Sequence, residues 1–216
     1  MRITISKENY LKAIAEAESE AETVKAITLA RWLNVSAPAV TMAVKRLKRD
    51  GLIRVAADGR ITLTQAGREI ASRLLNRHYL IERMLTEIFG LPWYKVHDEA
   101  EQLEHAVSAD FEQKLLEKLG TSAVCPHGNI VGMDSPGARR RRGLKPLEEA
   151  ISGEHLSVAS VFERDRRLLE YLDQNGIRPG ASLQVLASDG EISLRAGHRR
   201  IRLQPAVAQK VWVKPA

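Results

Sequence analysis

Cysteine and long apolar runs are what this sequence has least of. It contains one cysteine in 216 residues, so the chain cannot form an internal disulfide and lacks the disulfide framework of small secreted proteins. No apolar run approaches the roughly 20 residues that cross a bilayer. The opening segment MRITISKENY also lacks the apolar stretch of a signal peptide. We therefore expect a cytoplasmic protein that has no membrane partner.

Charge, by contrast, is abundant and unevenly distributed. The net charge of +6 divides into +5 over residues 1–74 (13 basic, 8 acidic), −4 over 75–131 (5 and 9) and +5 over 132–216 (15 and 10). Four of the six histidines fall in the acidic middle segment. Basic segments favour a polyanionic partner, whereas an acidic segment rich in histidine favours a cation site.

The N-terminal third has the element order of a winged helix-turn-helix. Periodic apolar residues predict helices over residues 6–18, with Ser6 as the cap, and over 24–33. Ser36 begins a third, basic helix that stops at Gly51. Two short alternating runs then follow, and the Asp58-Gly59 turn between them predicts a hairpin.

The third helix has the properties of a DNA-reading element. A basic helix that follows a tight turn can enter the major groove and place its N-terminal residues on base edges. Here we expect phosphate contacts from the basic side chains and contacts to base edges from the small and apolar ones. The alternative is a helix-turn-helix that binds protein, but the charge and the wing favour DNA. The predicted DNA-binding residues are Ser36, Ala37, Pro38, Ala39, Thr41, Met42, Lys45, Arg46, Lys48 and, on the wing, Arg60.

Histidine and glutamate recur at helical spacing in the acidic segment. The stretch HDEAEQLEH predicts four potential ligands on one face of one helix, and RHYLIER repeats the four-residue spacing. Imidazole and carboxylate groups together suit a divalent transition metal. The alternative is solvated charge on exposed helices, but two such groups so close in sequence favour metal. The residues are His97, Glu101, Glu104 and His105 in the first stretch, and His78 and Glu82 in the second.

The C-terminal third predicts a different architecture. Arginines 139–142 follow a loop rich in proline and glycine, and we interpret them as a solvated, mobile linker. Residues 155–216 contain short, alternating, β-branched runs and one helix, which predict an SH3-like β-barrel. The expected fold class is mainly α with a small β domain. The expected domains are residues 1–74 (winged helix-turn-helix), 75–143 (helical and metal-binding) and 144–216 (linker and SH3-like domain).

These segments resemble the diphtheria toxin repressor family of iron- and manganese-dependent transcriptional regulators. ENYLKAI is similar to the family's first helix, and SAPAVTMAVKRLKRDGLI to its recognition helix. RHYLIERML, GLPWYKVHDEAEQLEH and CPHGN resemble its metal-binding region, while IRPG and VWV resemble its SH3-like domain. The resemblance covers nearly the whole chain.

The resemblance implies two metal sites. The primary site uses Glu101, Glu104 and His105 with Asn9, which departs from the family because members place Asp or Met there. The ancillary site uses His78 and Glu82, with His97 either as a ligand or beside the ligands. Family members that have a CPHG loop add its cysteine and histidine and an acid from the third domain. In this chain those residues are Cys125, His127 and either Glu163, which we favour, or Asp165. The alternative for Cys125 is a buried thiol that binds no metal.

The resemblance also implies function. We expect a metal-activated repressor that binds a palindromic double-stranded DNA operator as a homodimer and has no small-molecule substrate. Manganese-sensing members have Glu-x-x-Glu-His where iron-sensing members have Cys-x-x-Glu-His, so Glu101 favours Mn²⁺, with Fe²⁺ as the alternative. Carboxylates agree with that order because they suit the harder ion. The competing functions are a metalloenzyme on a helical bundle and a metal-independent DNA-binding regulator.

Overall fold

The computed structural model describes residues 3–122 and 124–216. The chain divides into two compact units, one comprising residues 1–78 and 134–136 and the other 79–133 and 137–216. We call them the first and the second unit and describe each by itself. Among the described residues, no helix is both long and apolar enough to span a bilayer.

The first unit is a winged helix-turn-helix, as predicted. Its elements are α1 (Ile5–Ser19), α2 (Ala26–Leu33), α3 (Ala37–Arg49), β1 (Ile53–Val55), β2 (Ile61–Leu63) and most of α4 (Gln65–Arg83). Its core includes the fully buried side chains of Leu11, Ile14, Leu29, Val40 and Leu47.

Side-chain caps fix where α1 and α3 begin. Thr4, and not Ser6 as predicted, caps α1 by accepting the Lys7 N–H. Ser6 therefore lies inside the first turn. Ser36 caps α3 as predicted, because its hydroxyl accepts the Ala39 N–H and satisfies a donor that the helix leaves free.

The wing is an antiparallel pair in which Ile53 lies opposite Leu63 and Val55 opposite Ile61. Its turn requires Gly59, whose φ of +80° lies in the left-handed region that glycine adopts without strain. The Asp58 carboxylate accepts the Arg60 N–H and holds the tip of the hairpin. Arg60 therefore stands at the end of the wing, as predicted.

The second unit combines a small helical core with a β-sheet. After α4 the chain forms one π-helical turn (Met84–Ile88), then α5 (Val96–Leu103), α6 (Ala109–Leu119) and α7 (Pro136–Arg141). The sheet follows as β3 (Lys145–Pro146), β4 (His155–Val161), β5 (Ser182–Ala187), β6 (Ile192–Ala196), β7 (Arg199–Leu203) and β8 (Val211–Pro215), with a 3₁₀ turn (Leu147–Glu149), α8 (Arg166–Gln174) and α9 (Pro205–Ala208) between strands.

The six strands form one antiparallel sheet in the order β3-β8-β4-β5-β6-β7. Alternate residues such as Leu156, Val158, Leu183 and Leu194 are buried, and α8 adds Leu169 to the same core. This is the small β domain that the alternating pattern predicts.

Two sequence interpretations are wrong in detail. The helix that was to carry all four ligands of HDEAEQLEH ends at Leu103, so Glu104 is its C-cap and His105 lies in the following turn. A new helix begins shortly afterwards, where the Ser108 hydroxyl accepts the Phe111 N–H and caps α6. The arginine run is not a solvated linker either, because it ends α7 and the side chain of Arg139 is only 1% exposed.

Candidate functional site

Four potential metal ligands converge in the second unit. Glu82 comes from the last turn of α4, Cys125 and His127 from the loop over residues 125–129, and Glu163 from the segment after β4. One ligand atom from each residue lies within 4.8 Å of the others, and all four side chains are buried. His127 Nδ1 is 3.3 Å from Glu82 Oε2 and 3.6 Å from Glu163 Oε2. We call these four residues the buried cluster.

Backbone hydrogen bonds and a close approach at Gly128 support the shape of the loop over residues 125–129. The Cys125 N–H donates to the Asn129 carbonyl, and the Val161 N–H donates to the His127 carbonyl, which docks the loop on β4. Gly128 has a φ of +83°, and a Cβ there would lie 2.0 Å from the Ala159 carbonyl oxygen. Only glycine permits this approach. The Pro-His-Gly sequence of the loop thus serves the placement of Cys125 and His127.

The orientation of His127 suits a metal ligand. Its Nε2 lies 2.9 Å from the Trp93 carbonyl, which can only accept, so Nε2 carries the proton. Its Nδ1 then points at the two carboxylates. A histidine that donates one ring N–H to a backbone carbonyl and presents the other nitrogen is the usual arrangement around protein-bound metals.

The electrostatics of the buried cluster also favour a cation. Burial raises the pKa of the Cys125 thiol well above its usual range, and the carboxylates of Glu163 and Glu82 raise it further. Burial lowers the pKa of His127, but the attraction of Glu82 and Glu163 outweighs it, so this pKa is raised overall. Both shifts favour the protonated forms of these groups. A thiol, an imidazole and two carboxylates in one buried site fit a divalent transition metal, which would replace those protons.

Two more predicted ligands lie close to Glu82. His97, on α5, places Nδ1 3.2 Å from Glu82 Oε1 and Nε2 3.7 Å from Glu101 Oε1. His97 therefore lies beside one carboxylate of each predicted site, Glu82 of the ancillary site and Glu101 of the primary site. His78 is buried one turn before Glu82 on α4, and its Nδ1 lies 2.9 Å from Lys12 Nζ. Since an ammonium group only donates, this nitrogen of His78 is unprotonated and already engaged.

The structure brings together only part of the predicted primary site. Glu104 is buried, and its Oε1 is 3.5 Å from His105 Nε2. Glu101 is 40% exposed and pairs with the Arg164 guanidinium at 3.1 Å. Asn9 lies on α1 in the first unit, and its role stays a prediction.

Glu163, and not Asp165, reaches the buried cluster. The Asp165 carboxylate caps α8 by accepting the Leu168 N–H and lies 3.8 Å from the Lys210 ammonium. The geometry therefore agrees with the preference for Glu163.

The predicted DNA-binding residues share one property, exposure. Val40 and Leu47 turn into the core, whereas the ten predicted DNA-binding residues on α3 and the wing are all solvent-exposed. The helix therefore presents its basic and small side chains outward. Val44 is only partly buried.

Three residues near the buried cluster escaped the sequence interpretation. Asn129 donates to Glu163 Oε2 at 2.6 Å, Tyr79 donates to Glu163 Oε1 at 3.4 Å, and Arg139 donates to Asn129 at 3.0 Å. The only sequence signal for Asn129 is its place directly after Cys-Pro-His-Gly. Nothing in four consecutive arginines distinguishes the buried one.

Comparison with known proteins identifies the family. The chain matches the iron dependent repressor N-terminal DNA binding domain over residues 2–60, the iron dependent repressor metal binding and dimerisation domain over 64–131, and the FeoA domain over 145–215. It is 33% identical to the iron-dependent repressor IdeR of Mycobacterium tuberculosis over 220 residues, which cover 96% of each chain. The chain belongs to the iron-dependent repressor family. The predicted family and fold class are thereby confirmed.

Other members of the iron-dependent repressor family extend the comparison. The diphtheria toxin repressor of Corynebacterium diphtheriae is 32% identical over 216 residues, covering 96% of each chain. Among solved structures, a manganese-dependent transcriptional repressor in complex with manganese has a TM-score of 0.85 and 31% identity, covering 97% of this chain and all of that one. The manganese-activated repressor ScaR in its apo form has a TM-score of 0.80 and 29% identity, covering 96% of this chain and all of that one. Iron and manganese thus both occur among the relatives' names.

The family settles the class of function. This repressor is a metal-dependent, DNA-binding regulator of transcription with a dimerisation domain, and it is not an enzyme. The metalloenzyme interpretation is therefore wrong.

Proposed function

We propose that Mn²⁺ activates this repressor, with Fe²⁺ as the alternative, and that the activated homodimer binds a palindromic operator. The observation that carries the metal dependence is the buried cluster, in which four ligand atoms lie within 4.8 Å of one another. Such a set of buried acids beside a thiol and an imidazole is costly unless a cation balances it.

The ligand assignment has two parts. Glu82, Cys125, His127 and Glu163 hold one ion, with His97 supporting Glu82. Glu101, Glu104 and His105, with Asn9, hold the other. His78 is assigned to the same ion as Glu82, and Lys12 engages its Nδ1. When bound, a divalent cation supplies positive charge that offsets these carboxylates and favours the thiolate form of Cys125.

The preference for Mn²⁺ rests on Glu101. A primary site of carboxylate and imidazole groups suits the harder ion, and a thiol at that position would favour softer metals. Cys125 favours a softer metal in the buried cluster. The printed names of the relatives include both iron and manganese. We therefore keep Fe²⁺ as the competing effector.

The same proposal assigns the DNA and dimer surfaces. On α3 and the wing, Lys45, Arg46, Lys48 and Arg60 bind phosphates, while the small residues at the start of α3 meet base edges. The dimer surface consists of Ile88, Phe89 and Phe111, which are 40%, 64% and 46% exposed. Met84 and Leu115 are buried within the second unit and are not part of this surface.

Operator binding with and without metal tests the proposal. Chelator-treated protein should not bind the operator in a gel shift, and Mn²⁺ should restore binding. Glu104→Ala should abolish that response while the protein stays folded and dimeric. The exposed Glu117→Ala on α6 is the control and should respond as the unaltered protein does. Equal affinity in chelator and in Mn²⁺ would instead identify a metal-independent regulator.

A further inference from the structure

Arg139 is the one arginine of the 139–142 run that the structure buries. It is among the largest fully buried side chains of the described residues. Its Nη2 donates to Asn129 Oδ1 at 3.0 Å, and its guanidinium carbon lies 5.0 Å from the centre of the Trp212 ring. Its neighbour Arg140 is exposed and pairs instead with the Glu149 carboxylate. Burying a guanidinium is costly, so this inward orientation calls for a specific partner.

Asn129 is one partner of this guanidinium, and it connects Arg139 to the buried cluster. Its Nδ2 donates to Glu163 Oε2 at 2.6 Å and to the Val161 carbonyl at 3.2 Å. Arg139 fixes which end of the amide faces which way, because a guanidinium only donates and must meet the amide oxygen. A flipped amide would set donor against donor at Arg139 and acceptor against acceptor at Glu163.

The oxygen that Asn129 holds is the one that faces the other ligands. Glu163 Oε2 lies 3.4 Å from Cys125 Sγ and 3.6 Å from His127 Nδ1. Rotation of the carboxylate away from the amide would carry this oxygen off the site. The backbone carbonyl of Asn129 also accepts the Cys125 N–H, so one residue braces two ligands.

We propose that Arg139 and Asn129 are positioning residues that hold Glu163 toward Cys125 and His127 and thereby raise the affinity of this site for metal. The inference rests on the proposed metal-binding role of the buried cluster and assigns no ligand role to either residue. Groups that orient metal ligands in this way are typically worth about 10–100-fold in metal affinity.

The competing explanation is that Arg139 only fills space against Trp212. The two explanations differ in their coupling to Asn129. If Arg139 acts through Asn129, removing it from a chain that already lacks the amide weakens metal binding little further. If the two residues act independently, their effects multiply.

The test is a double-mutant cycle on metal affinity in the full-length protein. Asn129→Ala and Arg139→Gln should each weaken binding of Co²⁺, measured against a competing chelator, by about 10–100-fold. The double variant should bind no more weakly than the worse single variant. Arg140→Gln is the matched control and should leave the affinity unchanged. Thermal unfolding of the metal-free proteins checks that each variant folds. If Arg139→Gln does not fold, the Co²⁺ affinity of Asn129→Ala alone tests the positioning of Glu163.

A spectroscopic readout separates this inference from the proposed metal centre. Co²⁺ bound by Cys125 should give a thiolate-to-metal charge-transfer band, which Cys125→Ser removes and Asn129→Ala shifts or weakens. Unchanged affinity and spectrum in Asn129→Ala would overturn the positioning role while leaving the metal centre intact. If the double variant loses Co²⁺ affinity by the product of the two single losses, Arg139 does not act through Asn129. Absence of the band in the unaltered protein would overturn the metal centre and this inference together.

Discussion

At the residue scale, burial and neighbouring carboxylates together shift the pKa values of Cys125 and His127 in the buried cluster. Burial, together with the carboxylates of Glu163 and Glu82, raises the pKa of Cys125, whereas the same two carboxylates raise the pKa of His127 against the effect of burial. A metal ion must displace these protons, so its affinity depends on pH.

The first prediction concerns Cys125. Cys125→Ser should lower the bound-metal count per chain and loosen the C-terminal segment, because Glu163 loses the ion that links it to the loop over residues 125–129. Metal content is measured by elemental analysis after dialysis against buffered Mn²⁺. Ser122→Ala, an exposed change three residues away, is the control. An unchanged metal count would show that Cys125 is a buried thiol that binds no metal.

The second prediction concerns pH and follows from His127. A histidine whose folded pKa is raised stabilises the fold fully below its unfolded value, about 6.5, and loses that contribution as pH rises through the folded value. The free energy of unfolding of the chelator-treated protein should therefore fall as pH rises through this window. In Mn²⁺ the trend should reverse, because deprotonation favours ligation. Urea unfolding at several pH values measures both, and His127→Asn should remove much of each trend. Identical pH profiles with and without metal would count against His127 as a ligand.

At the element scale, local signals account for most of the fold. Ser36, the Asp58-Gly59 turn and the alternating strands of residues 155–216 specify α3, the wing and the sheet through capping, turn and pleat geometry. They predict these elements because each depends on neighbours in sequence.

The errors have two origins. The apolar and acidic pattern of residues 97–105 does not reveal that α5 ends at Leu103, before Glu104 and His105. Arg139 is buried because Asn129 and Trp212 meet it, and neither lies near it in sequence. For the same reason, the sequence suggests Cys125, His127 and an acidic residue as ligands but leaves the acidic residue open. The contacts in the structure show that Glu163, and not Asp165, lies beside Cys125 and His127.

The third prediction concerns α3. Arg46→Ala should weaken binding to all DNA sequences and reduce the salt dependence by roughly one unit of slope for each DNA phosphate that the variant no longer binds. Met42→Ala should instead change sequence preference, because an apolar side chain meets base edges. Binding titrations at several salt concentrations measure both effects, with the exposed Lys118→Ala on α6 as control. An equal reduction of affinity in Arg46→Ala at low and high salt would contradict the phosphate role.

At the scale of the whole molecule, the proposed binding to a palindromic operator requires a dimer. The matched family includes a dimerisation domain over residues 64–131, which contains the exposed apolar side chains of Ile88, Phe89 and Phe111. Large exposed apolar patches commonly mark protein–protein interfaces. The domain division 1–74, 75–143 and 144–216 stays a prediction.

The fourth prediction tests that surface. Phe89→Asp should shift the protein from dimer to monomer, because it places a charge in an apolar interface, and operator affinity should fall with it. Light scattering coupled to size-exclusion chromatography measures the mass. Tyr171→Asp, at another exposed aromatic residue, is the control and should remain dimeric. A Phe89→Asp protein that stays dimeric would move the interface elsewhere.

The measurement that tests the central claim most directly is operator binding under anaerobic conditions, titrated with Mn²⁺ and Fe²⁺ at buffered free concentrations. The unaltered protein and Glu101→Cys are compared, because Glu101 carries the preference for the harder ion. We predict that Mn²⁺ activates the unaltered protein at cellular free concentrations and that Glu101→Cys shifts the response toward Fe²⁺. Activation of the unaltered protein by Fe²⁺ but not by Mn²⁺ would contradict the account.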